Sequence, residues 1–196
     1  MQILKKIFLI FLVFSFVSSS YAKDPSEFIF EITKNASDIL KESIETKDKV
    51  EKLIVIAENS VDIDGIGLYS LGKHRKSISK EQLNKYKTIF RKYFLKSFSS
   101  RLSQYSDPKI NVLSQNIINE KYTIVSSVLV ETSERPEIKI DWRVYTKDPE
   151  NPLIRDLVIE GLSLARTQKE EFNSIIANND GNIEALFENL SKFLKN

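Results

Sequence analysis

The chain has 196 residues, 41% of them hydrophobic and 29% charged, with one His and no Cys. That length fits one domain with a sizeable core. The missing Cys excludes disulfides, thiolate chemistry, Cys-based zinc sites and lipid attachment to a Cys, and a lone His excludes a His-rich metal centre. A formal net charge of +2 is too balanced for a nucleic-acid binder, which carries a pronounced basic face.

Lys5 and Lys6 precede an apolar run from Ile7 to Val17, and small residues follow at Ser20 and Ala22. This three-part pattern predicts a secretory signal peptide over residues 1–22, cut after Ala22. A run of 11 apolar residues is well short of the roughly 20 that a spanning helix needs. The expectation is export to a periplasm, with a single domain over residues 23–196. Lys5 and Lys6 account for the whole excess of 29 basic over 27 acidic residues, so the chain beyond them is formally neutral. Neither GxxxxGK[ST] nor GxGxxG occurs, so no phosphate loop is predicted.

Asp24-Pro25 opens the first predicted helix, in which Phe28, Ile32, Ala36, Ile39, Leu40 and Ile44 recur at helical spacing. A second helix carries Val50, Leu53, Ile54 and Ala57. Asp62-Ile63-Asp64-Gly65 reads as a turn into a short helix ended by Gly72. Ser79-Lys80-Glu81-Gln82 is a capping box and starts the longest helix, to about Gln104. Its apolar stripe is Leu83, Tyr86, Ile89, Phe90, Tyr93, Phe94, Phe98 and Leu102.

After Asp107-Pro108 the period falls to two. Lys109 to Asn116 is a weak strand and Tyr122 to Glu131 a stronger one, apolar on both faces. Ile138, Ile140, Trp142 and Val144 alternate with Lys139, Asp141, Arg143 and Tyr145, a half-buried strand. Leu153 to Leu162 is the fourth strand, with Leu157 and Ile159 inward and Asp156 and Glu160 on the solvent side. Helical spacing resumes at Thr167-Gln168-Lys169-Glu170, a second capping box, and the last helix carries Ile183, Leu186, Phe187, Leu190, Phe193 and Leu194. The fold class is α+β: helices packed on a twisted four-stranded antiparallel sheet.

Candidate catalytic groups are few. His74 sits in the basic stretch Lys73-His74-Arg75-Lys76 and reads as a solvated loop residue. Asp156 and Glu160 have the types for glycoside hydrolysis but lack an aromatic platform. Asp62 and Asp64 do not continue into a calcium loop and read as caps. The abundant Phe and Tyr fit an ordinary core or the wall of an apolar cavity, since both use the same residues.

Several blocks resemble the MlaC family, also called the toluene-tolerance or ABC-transporter auxiliary family. They are Val61-Asp62-Ile63-Asp64 to Leu71-Gly72, then Ser79-Lys80-Glu81-Gln82, Phe90-Arg91-Lys92-Tyr93, Arg101 to Tyr105, and Arg155 to Leu164. Glu171-Phe172 and Gly181 to Leu186 complete the match. The chain departs from the family pattern at His74-Arg75, Gln168-Lys169 and Pro152-Leu153. The resemblance implies a periplasmic phospholipid carrier, a monomer without cofactor, metal or nucleic acid. Its partners would be an inner-membrane ABC transporter with an MCE-domain subunit and an outer-membrane lipoprotein–porin complex. An apolar cavity is then expected between sheet and helices. Its lining is expected to be Phe90, Tyr93, Phe94 and Phe98 from the long helix, Val128, Ile140, Trp142, Val144, Leu157 and Ile159 from the sheet, and Phe172 and Ile176. Two other readings stay open. A cone-fold enzyme of the ketosteroid-isomerase type needs an acid in its pocket, whereas alternation turns Asp141, Asp156 and Glu160 away. A periplasmic lipoprotein chaperone would bind acylated protein instead.

Overall fold

Asp24 starts the first helix as the sequence predicts. Its carboxylate accepts the backbone N–H groups of Ser26 and Glu27 at 2.9 and 3.0 Å, two donors that a helix start otherwise leaves unpaired. The computed structural model describes residues 22–195, so all of the expected signal peptide except Ala22 lies outside the described residues. Helix α1 (Pro25–Lys41) is followed by α2 (Thr46–Ser60) and α3 (Ile63–Leu71). Asp62 caps α3 by accepting from Gly65 N–H at 2.8 Å. Gly72 ends it at φ +61°, a conformation that costs little only without a Cβ. The chain then makes a 3-10 turn, Gly72–Lys76, where the sequence suggested a loop around His74. Helix α4 (Lys80–Leu102) opens on the expected capping box, with Ser79 and Gln82 each accepting the other's backbone N–H.

The sheet is an antiparallel meander in the order β1-β2-β3-β4-β5. Its strands are β1 (Ile110–Asn119), β2 (Tyr122–Leu129), β3 (Ile138–Tyr145), β4 (Leu153–Ile159) and β5 (Leu162–Ser163). Five strands replace the expected four, because the segment Leu153 to Leu162 is not one strand. Glu160 and Gly161 both take positive φ, 49° and 81°, the signature of a two-residue type I′ hairpin turn. Glu160 is therefore a turn residue, and Leu162-Ser163 folds back on Val158-Ile159.

Helix α5 (Leu164–Ala177) follows β5 directly, three residues before the predicted start. Its cap is Ser163, whose hydroxyl accepts from Arg166 N–H at 3.1 Å, so Thr167 lies inside the helix. Helix α6 (Ile183–Lys195) closes the described chain. Helix α1 packs on β1 and β2, α3 and α5 pack on β4, and α4 is held by α2, α3 and α6. One apolar cluster fills the space between, from Phe28 and Ile29 in α1 to Leu186 and Leu190 in α6.

Candidate binding site

Strand register decides which sheet residues can face the helices. Val125, Ser127 and Leu129 of β2 stand opposite Trp142, Ile140 and Ile138 of β3. On β4, Leu157 stands opposite Trp142 and Ile159 opposite Ile140. A bulge then intervenes: Asp156 pairs with Arg143 while Ile154 pairs with Val144, leaving Arg155 as the extra residue. The bulge lets both Leu157 and Ile154 point inward, which strict alternation forbids. It also frees Arg155 to leave the ladder. Arg155 Nε donates to Asp62 at 2.6 Å and Nη1 to the Tyr122 hydroxyl at 2.8 Å, and its guanidinium stacks 3.5 Å from the centre of the Tyr145 ring. This clasp ties β4 to the start of α3.

The register corrects one expected lining residue. Val128 pairs with Lys139, so it lies on the face opposite Trp142. It is buried there, outside the apolar cluster between sheet and helices. The other expected residues fall into two groups. Phe90, Ile140, Trp142, Val144, Phe172 and Ile176 are buried within that cluster. Tyr93, Phe94, Phe98 and Leu157 are half-buried against it. Ile159 keeps the inward register but is half-buried at the β4–β5 turn. Sequence reasoning missed Val125, Leu129 and Ile154, all buried on the inner face. Val125 and Leu129 become visible once β2 is aligned on Trp142 and Ile138; Ile154 is hidden by the bulge.

Aromatic rings fill the middle of the site. The ring of Phe90 lies 6.2 Å from Tyr93, 6.2 Å from Phe94 and, edge-on, 6.1 Å from Phe172. Phe94 and Phe98 stack at 6.0 Å, within the range of favourable ring pairs. These rings join the apolar cluster between sheet and helices.

Several polar groups near this core are satisfied locally. Trp142 Nε1 donates to Ser127 Oγ at 2.8 Å, and that hydroxyl donates to the Ile140 carbonyl at 3.1 Å. The Tyr86 hydroxyl donates to the Gly67 carbonyl at 2.8 Å; burial pushes its phenol well above the ordinary tyrosine range. Burial also raises Tyr93, whose hydroxyl donates to Gln168 at 3.0 Å. Asp156 does point away from the core, as alternation predicts, but it is 4% exposed rather than solvated. It accepts from the Ser163 hydroxyl at 2.6 Å and from Ala165 N–H at 3.0 Å, so the start of α5 covers it. It is the only buried carboxylate among the described residues. No group of three or more His, Asp or Glu able to hold a metal occurs among them either, and no described helix is long and apolar enough to cross a membrane.

Residues 26–192 match the family model of the MlaC protein. The chain belongs to the MlaC family. This MlaC chain is also similar in fold to a solved phospholipid-binding protein from Ralstonia solanacearum, determined in complex with a phospholipid. The two share 16% identity over 88% of this chain and 98% of the other, with a TM-score of 0.73. No curated protein matches the chain. The α+β meander under a helical layer is thus the architecture of this MlaC chain and of its Ralstonia neighbour.

Proposed function

We propose that this MlaC chain is a periplasmic phospholipid carrier and not an enzyme. The observation that carries the reading is the family match over nearly all the described residues, on a fold whose Ralstonia relative holds a phospholipid. The interior agrees in character: aromatic and aliphatic side chains meet there, and the one buried carboxylate faces away and is bonded by Ser163 and Ala165. An acid in the pocket, which the cone-fold enzyme needs, has no candidate among the described residues.

Two acyl chains contain roughly 30 methylenes, and exposing each to water costs about 0.8 kcal/mol, on the order of 24 kcal/mol in all. Lipid therefore does not cross water alone at a useful rate. A carrier replaces membrane interior with its own apolar surface, and release needs docking so that lipid passes directly between apolar sites. The partners are then an inner-membrane ABC transporter with an MCE-domain subunit and an outer-membrane lipoprotein–porin complex, and the exchange maintains the lipid asymmetry of the outer membrane.

In this reading acyl chains enter between α4 and the sheet. The half-buried end of the core is where that costs least. There Phe94, Leu95, Phe98 and Tyr105 lie on or just after the C-terminal half of α4, and Ile110, Val112 and Ile138 lie at the near end of the sheet. Acyl contacts then replace ring contacts of similar dispersion energy. The test is transfer of a fluorescent phospholipid from donor to acceptor vesicles. The protein should speed transfer in proportion to its concentration; a rate equal to that without protein overturns the reading.

A further inference from the structure

We propose a second site: an anion-binding depression beside α5 that takes a phosphate ester. The depression has a volume of about 520 Å³ and is lined by Lys73, His74, Lys169, Asn173, Ile176, Ala177 and Gly181. That size lies within the common range of small-ligand sites, about 300–1,000 Å³. Two sequence segments nearly a hundred residues apart build it, the 3-10 turn after α3 and the stretch from Lys169 of α5 to Gly181.

Its charge is one-sided. Two lysines and the only histidine line it, and no carboxylate does. Arg75 and Lys76 flank the same turn. None of Lys73, His74, Arg75, Lys76 or Lys169 makes an ion pair among the described residues. Lys169 is held in place, its Nζ 5.2 Å from the centre of the Tyr69 ring and its Cε against Gly72. A concave wall of unpaired cations concentrates anions.

One further feature narrows the ligand. Ile176 and Ala177 add an apolar wall for the carbon part of an ester. A glycerophosphate unit has both parts, anion and carbon skeleton. It occurs both as a soluble ester and as the headgroup region of a phosphatidylglycerol.

The site stands apart from the carrier reading, and calorimetric titration with three probes tests it: inorganic phosphate, glycerol 3-phosphate and dihexanoyl phosphatidylglycerol. Glycerol 3-phosphate should bind more tightly than inorganic phosphate. Lys73→Gln and Lys169→Gln should each weaken it about tenfold, the loss of one charge-assisted bond. Asn173→Asp keeps the shape, sets a negative charge against the phosphate, and should weaken it at least as much. Lys47→Gln, on α2, removes the same charge and should change nothing. Lipid binding that Lys73→Gln and Lys169→Gln weaken as they weaken the soluble ester assigns the site to a headgroup; lipid binding that neither variant changes assigns it to the soluble ester. Absence of any probe whose saturable binding Lys73→Gln or Lys169→Gln weakens overturns the site, and so does equal weakening by Lys47→Gln and Lys73→Gln. Loss of these effects in a protein that still transfers phospholipid removes the site and leaves the carrier reading intact.

Discussion

Asp156 and Gly72 are small positions with large consequences. The Asp156 carboxylate is buried and joins β4 to the first turn of α5 through Ser163 and Ala165. Removing it leaves a buried N–H and hydroxyl without their acceptor, at a cost of about 1–3 kcal/mol. Asp156→Ala should lower the unfolding free energy by that amount in urea titration, and an unchanged midpoint would contradict the bonding described. Gly72 combines positive φ with Lys169 Cε 3.2 Å from where a Cβ would stand. Gly72→Ala should cost about 1–3 kcal/mol, read as a lower midpoint in the same titration. Neither effect is visible in hydropathy. Alternation placed Asp156 on the outer face, where it is, but could not show that the next helix starts early enough to cover it.

At the scale of elements, the helices were the more legible part. Caps at Asp24, Asp62 and Ser79 are local chemistry, written within four residues of where they act, and the structure uses all three. The β4 region was hard to read because its two controlling events are not local. The bulge at Arg155 shifts the face of Ile154 by one residue, and only pairing with β3 reveals it. The tight turn at Glu160-Gly161 lies within a stretch that reads as continuous strand. The helix ends also set an acid dependence. The Glu27 backbone N–H holds the Asp24 carboxyl below the ordinary aspartate range, and the hydrogen bond from Lys85 lowers Glu184 in the first turn of α6. A folded-state pKa below the unfolded one adds stability that is present above the unfolded pKa and lost as pH falls through the folded value. Stability should therefore fall below about pH 4, and Asp24→Asn should flatten that acid limb in denaturant titrations run from pH 7 down. A limb of unchanged slope would show that the cap carries no proton linkage.

At the scale of the molecule, the aromatic stripe of α4 divides into two halves with different expected roles. Tyr86 and Phe90 are buried in the core, and Phe90→Ala should cost about 3–5 kcal/mol in stability. Phe94 and Phe98 are half-buried and stacked on each other. Phe98→Ala should cost clearly less in stability while lowering the lipid carried per chain several-fold; lipid content that merely tracks stability across the two variants would count against a lining role for this half. The sequence made the stripe evident through its spacing. It could not say whether the stripe encloses a void or fills one, because packing density depends on how closely α4 approaches the sheet. In the structure α4 leans on α2, α3 and α6, and its rings belong to the same apolar cluster as the inner strand residues. The most direct test of the carrier account is mass spectrometry of an organic-solvent extract of the protein purified from a periplasm. The account predicts phospholipid in stoichiometric amount; repeated absence of phospholipid, or acylated protein in its place, would contradict it.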